Sequence, residues 1–234
     1  MLSESTAQRS QPDEAEIMLR TLSVMVEPLT MLMPGRCEVA LHDLRLLPNS
    51  IVAIAGELTG RRAGGPATDS LLRAGARNRY ETKIGYPSNH PDGSELRSST
   101  IIFRDTAGTA VAALCVNCET QFWRQVHDIA SAMLPQGAGS GLSVEHQNGS
   151  APSALPVLSG EEEFPGDIDE LAESLLQRAL ASVDIPVELM HKRHKLRVVQ
   201  DLNERGFFLL KESVETAAQA LGVTRFTIYN YLKN

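Results

Sequence analysis

Long apolar runs are missing from this 234-residue chain, and no segment reaches the roughly 20 residues that a membrane-spanning helix needs. No membrane partner is therefore expected. Cysteine is scarce: Cys37, Cys115 and Cys118 are too few for a disulfide framework, and a reducing compartment suits them. Cys115 and Cys118 have no second pair beside them, and residues three apart on a strand face opposite sides, so free thiols are expected rather than a metal site. The first sixteen residues, MLSESTAQRSQPDEAE, lack the basic start and apolar middle of an export signal, which makes the cytoplasm the expected compartment. The glycine-rich GRRAGG at 60–65 is not followed by the Lys-Ser/Thr arrangement of a phosphate-binding loop. No nucleophile motif stands near His42 and Asp43, and neighbours on a strand point to opposite faces, which disfavours an acid–base scheme with Cys37 or Cys115. No metal and no cofactor is called for.

Positive charge is also short overall. The net charge is -7, which opposes unspecific wrapping of nucleic acid by the whole molecule. Residues 186–234 are the exception: eight Lys or Arg against five Asp or Glu give +3, leaving -10 for residues 1–185. The chain is electrically divided, and its basic end is compact.

What is present reads as two modules. Residues 13–33 carry Ile17, Leu19, Leu22, Val26 and Leu29 near the spacing of one helical face, ending before Pro34-Gly35, with Pro28 as a candidate kink. CEVALHDL alternates, with Val39 and Leu41 on one side and Glu38, Ala40 and His42 on the other; SIVAIAGEL reads as a second strand. A loop follows, and Thr68 or Asp69 can cap a short helix through Leu71 and Leu72. Residues 80–94 read as turn because of Pro87, Pro91 and Gly93. RSSTIIFRD and TAVAALCVNCET form a hairpin pattern, and QFWRQVHDIASAML returns to helical spacing through Phe122, Val126, Ile129 and Met133. The expected class is α+β, with helices on an antiparallel sheet over 13–134.

Twelve of the twenty-five residues at 136–160 are Gly, Ser or Pro, so 135–166 is read as a flexible linker. A helix over 167–185 carries Ile168, Leu171, Leu175, Leu176 and Leu180 and serves as a connector or dimerisation element. The final module, 186–234, opens with Pro186 in the first turn of a helix whose apolar face is Leu189, Leu196, Val199 and Leu202. The small Ala217 and Ala218 permit a close helix crossing, Gly222 permits a left-handed turn, and Thr224 can cap a helix anchored by Ile228, Tyr231 and Leu232. This is a helix-turn-helix pattern, whose last helix enters the DNA major groove. Thr224, Arg225, Phe226, Thr227, Tyr229 and Asn230 are its candidate reading surface, and Lys211 and Lys233, with Lys192, Arg193, Lys195 and Arg197 upstream, candidate phosphate contacts.

VETAAQALGVTRFTIYNYL is similar to the C-terminal helix-turn-helix of the YheO/DauR-like bacterial transcriptional regulators, in which a PAS-like domain comes first. CEVALHDL, SIVAIAGELTGRRAGGPATD, SSTIIFRD and AVAALCVN resemble that family's front domain, in the expected order. The resemblance implies an all-α DNA-binding end behind a PAS-like sensor, acting on a double-stranded operator as a homodimer or higher oligomer. Repression is the expected sign. His42, Asp43, Arg61, Arg62, Asp69 and Asn117 are the candidate contacts for a small effector: Arg for a carboxylate, Asp or Asn for an amino group, which suits an amino-acid-like molecule. The family includes a regulator of D-arginine use, in keeping with that. Ala55-Gly56-Glu57-Leu58, and Cys118-Glu119 after Asn117, depart from the family pattern; if those positions touch an effector, a different effector is implied. A non-catalytic interaction adaptor is the alternative, and a small-molecule enzyme a further one.

Overall fold

The computed structural model describes residues 13–90, 92–133 and 162–233. The linker expected over 135–166 falls mostly outside them. Helix α1 (Glu14–Leu32) runs through Pro28 without interruption and lays Leu22 and Val26 on the sheet. Ile17 does not join them; it is exposed, and Ala15, Met18 and Leu19 take the inner positions.

Five antiparallel strands follow, β1 (Cys37–Asp43), β2 (Ile51–Ala55), β3 (Lys83–Asn89), β4 (Glu95–Arg104) and β5 (Ala110–Glu119), in the order β2-β1-β5-β4-β3. Strand β1 is buried along its whole length because it lies between β2 and β5 and is covered on both faces. The stretch read as turn at 80–94 contains β3. Pro87 is tolerated there because β3 is an edge strand, where a missing N–H breaks no second ladder. Val39, Leu41, Ala112 and Leu114 face α1, while Glu38, Ala40 and His42 face the other way. Cys37 and Cys118 sit directly opposite across β1 and β5, Cα to Cα 4.2 Å, and are disulfide-bonded. This corrects the expectation of free thiols at Cys115 and Cys118: Cys118 is bonded to Cys37, and Cys115 remains a buried thiol.

On the second face lie the loop from Leu58 to Thr68 and helix α2 (Asp69–Ala76), capped by Thr68, whose hydroxyl accepts from the Leu71 N–H. Helix α3 (Gln121–Met133) follows β5 but buries no residue, so its apolar face adds nothing to the sensor core.

The C-terminal bundle comprises α4 (Ile168–Ala181), α5 (Lys192–Glu204), α6 (Ser213–Ala220) and α7 (Arg225–Leu232). Leu171, Leu175 and Ala179 of α4 share one core with Val198, Leu202, Phe207, Leu221 and Ile228. Pro186 opens only a single 3₁₀ turn; α5 starts six residues later, and Leu189 is exposed rather than part of its inner face. Gly206 ends the α5 region at φ +82°, and a Cβ there would crowd the Leu72 carbonyl of α2. Leu72 itself belongs to the bundle core, so the two modules meet through α2.

Candidate functional site

Strand register builds the inner face of the sensor in rows. Glu38, Asn117 and Ser98 lie side by side across β1, β5 and β4, then Ala40, Cys115 and Thr100, then His42, Ala113 and Ile102. The first row is entirely polar and entirely buried. Glu38 accepts from the Thr59 N–H at 2.9 Å, from its hydroxyl at 2.8 Å, and from Arg61 Nη2 at 2.9 Å. Arg61 also donates to the Thr59 hydroxyl and lies 4.9 Å from the Phe164 ring centroid. A buried guanidinium this short of solvent needs its carboxylate, which is why Glu38 interrupts an apolar strand. Asn117 Oδ1 accepts from Ser98, and Ser98 meets Ser88.

Four buried polar atoms over this face have no hydrogen-bond partner among the described residues: His42 Nε2, Arg61 Nη1, Asn117 Nδ2 and Glu162 Oε2. Buried polar atoms are normally satisfied, so two donors, one acceptor and one imidazole nitrogen left over make this face a ligand-binding candidate. Burial, and then the Arg61 charge, lower the His42 pKa to about 3, so the ring is neutral; its Nδ1 lies 2.9 Å from the Ser50 hydroxyl. Burial raises the Cys115 thiol to about 11, an inert thiol rather than a nucleophile.

Glu162, 45 positions after Asn117 in the chain, is buried over the same face. Its Oε1 accepts from the Thr68 hydroxyl at 2.8 Å, and burial raises its pKa. Phe164 packs with Leu58 and Leu96. Between them Glu163 pairs with Arg178 of α4, and Arg178 also reaches Asp69 at the start of α2, 3.0 Å away. Burial raises the Asp69 pKa despite that pair and the Glu163 N–H bond. Beside Glu162 a cavity of about 330 Å³ opens between α2 and β3–β4, with Tyr86 and Thr100 within and Arg73, Arg77, Arg79 and Lys83 around it. Arg77 pairs with Glu204 of α5 at 2.7 Å.

Of the six sequence-derived effector candidates, the fold gathers His42, Arg61 and Asn117 on one buried face. Asp43 is turned to Arg45: burial raises its carboxyl, but the Arg45 hydrogen bonds and charge prevail and hold it below its usual value. Arg62 is exposed, and Asp69 ties α2 to α4. Glu38, Ser98 and Glu162 escaped sequence reasoning. Glu38 carried a signal, a carboxylate at an inward position of an apolar strand; Glu162, in an acidic run, carried none.

In the bundle, Thr224 caps α7, its hydroxyl accepting from the Thr227 N–H at 3.3 Å and meeting the Thr227 hydroxyl at 3.0 Å. Ile228 and Tyr231 are buried, whereas Phe226 and Tyr229 are 73% and 53% exposed. Arg225 is exposed and pairs with Glu215 of α6 at 2.5 Å; Asn230, Lys211 and Lys233 are exposed, and Thr227 half-buried. Lys195, by contrast, donates to the Leu221 carbonyl at 2.6 Å and closes the end of α6 rather than facing a phosphate. Among the described residues no group of three or more His, Cys, Asp or Glu could hold a metal ion, and no helix is long and apolar enough to cross a membrane.

Residues 12–135 match the YheO-like PAS domain family, and residues 171–233 match an HTH domain. The chain is 25% identical to the uncharacterized protein YheO of Escherichia coli K12 over 92% of this chain and 83% of that one. It is 27% identical to the transcriptional regulator DauR of Pseudomonas aeruginosa over 84% of each. A Vibrio cholera VqmA–ligand–DNA complex matches 92% of this chain and 87% of its own at 12% identity, with a TM-score of 0.24.

Proposed function

Because this chain belongs to the YheO-like PAS domain family and ends in a helix-turn-helix domain, we propose that this DNA-binding transcriptional regulator is a repressor whose sensor answers to a small amino-acid-like effector. The observation that carries the effector reading is the buried polar face, where Arg61 and Asn117 each keep a spare donor and Glu162 a spare acceptor within one sensor interior. A carboxylate suits the donors and an ammonium the acceptor. Repression is supported by the exposure of the outer face of α7 while Asp69, Glu163 and Arg178 hold the modules together. The clamped state is then the DNA-competent one, and an effector that disturbs Glu162 loosens it.

Arg225 reads a base through its guanidinium once DNA displaces Glu215; Asn230 and Thr227 read further bases, Thr224 fixes the helix start, Phe226 and Tyr229 offer contact area, and Lys211 and Lys233 meet phosphates. One short helix reads few base pairs, so a homodimer on a two-fold operator in the cytoplasm completes the reading. The test is selection of bound fragments from the source genome, followed by gel-shift titration. Arg225→Glu should lose operator preference; retention of wild-type affinity and selectivity would reject α7 as the reading helix. Amino acids added to the wild-type complex should release DNA, and a uniform lack of response would reject the effector class.

A further inference from the structure

Helix α3 has thirteen residues and buries none of them, yet it is strongly amphipathic. Phe122, Val126, Ile129 and Met133 are spaced 4-3-4 and are 51, 41, 60 and 81% exposed. That spacing is the narrow a/d seam of a coiled coil, not the wider stripe of a helix that lies on a sheet. The positions flanking the seam, Trp123 and Ala130 on one side and Gln125 and Ala132 on the other, bear no charge, and the two alanines allow close approach. The charged or titratable side chains of α3, Arg124, His127 and Asp128, project to the opposite side, where Arg124 pairs with Glu95 of β4. This ion pair anchors the helix with its seam turned outward.

The apolar surface does not stop at the helix. Met33 lies four residues before Cys37 and Phe122 four after Cys118, and these two cysteines face each other across β1 and β5. The end of α1, where Met31 and Leu32 are 81 and 76% exposed, therefore emerges at the same edge of the sheet as the start of α3. A thirteen-residue helix is about 20 Å long, and alone it is marginal as a dimer element. The exposed end of α1 extends the apolar surface beyond α3 itself.

Charge narrows the occupant. Nucleic acid needs cations on the contacted face, and the seam has none. A membrane surface favours a polar face rich in Lys and Arg, whereas this one carries a single Arg against an Asp. No described residue of the same chain covers the seam. A second copy presents the same spacing, the same uncharged flanks and the same small residues, and so matches it by symmetry.

We propose that α3 pairs with α3 of a second copy through Phe122, Val126, Ile129 and Met133, and that this contact forms the homodimer. It gives the homo-oligomeric reading above a named interface and rests on that reading. Pairing next to the disulfide-linked edge of each sensor places the two sensors side by side, so that their C-terminal modules are presented together.

Sedimentation velocity of the full chain in the low micromolar range decides it. The wild type should sediment as a dimer, and Val126→Glu combined with Ile129→Glu should weaken association by at least about a hundredfold, since two carboxylates would be buried per copy. Ser131→Glu, on the opposite face, should leave the dimer unchanged. These side chains are solvent-exposed in the protomer, so the substitutions spare the fold, which circular dichroism checks. Independently, Ile129→Cys should give a covalent dimer under mild oxidation, and Arg124→Cys should not. A monomeric wild type, a double variant that stays dimeric, or equal crosslinking at both positions overturns the proposal. The outcome is separate from DNA recognition: a dimer that selects no genomic fragment would sink the regulator reading and leave the interface standing.

Discussion

His42 illustrates how one inward residue ties stability to pH. Its imidazole is buried and neutral, with a folded pKa of about 3 against about 6.5 when unfolded. A depressed folded value means that stability is complete above the unfolded pKa and declines as the pH falls from about 6.5 towards 3, because only the unfolded chain takes up the proton. The full loss, reached only below both pKa values, is about 5 kcal/mol. Asp69 and Glu162 act in the opposite sense: burial raises their carboxyl pKa values, so the folded chain takes up protons there first and gains stability as the pH drops. Urea unfolding of wild type and His42→Gln between pH 7 and 5 separates the two effects, and the variant should lose most of the acid-side decline. Arg61, on the same face, depends on Glu38, 23 positions earlier in the chain; nothing local in the sequence pairs them, although a carboxylate within CEVALHDL marks a position in need of a partner.

At the scale of elements, α6 and α7 are shaped by their own residues, with small Ala217 and Ala218 inside, Gly222 at φ +59° in the turn and the Thr224 cap. Those features are local, and the periodicity exposed them. The start of α5 was not legible, because Pro186 fits both a helix and the single 3₁₀ turn that forms. Strand β3 was hidden for a related reason: Pro87 reads as a breaker until the sheet order shows it on an edge. The contact between α2 and the end of α5 depends on Gly206. Gly206→Ala forces a side chain into a left-handed conformation against the Leu72 carbonyl and should cost about 2 kcal/mol, measured as a lower urea midpoint.

For the whole molecule, the coupling between sensor and bundle is concentrated in few contacts. Leu72 sits in the bundle core, Arg77 pairs with Glu204, and Arg178 holds both Asp69 and Glu163. Arg178→Met should therefore split one calorimetric transition into two and weaken the effect of an effector on DNA affinity; a single unchanged transition would show that Leu72 and Gly206 suffice for coupling. The sequence by itself determined the local and the electrical: the amphipathic helices, the β1, β4 and β5 strands, the helix-turn-helix and the division of charge. These depend on side chains a few positions apart, whose spacing is printed in the chain. Only the tertiary structure decided that Cys37 meets Cys118, that Asp69 answers Arg178 109 residues away, and that Glu162 enters the sensor. It also decided that α4 packs into the bundle while α3 packs into nothing on its own chain among the described residues. Amphipathic spacing states that a face must be covered; which surface covers it depends on sheet register and on the path of the connecting chain, which no local pattern contains.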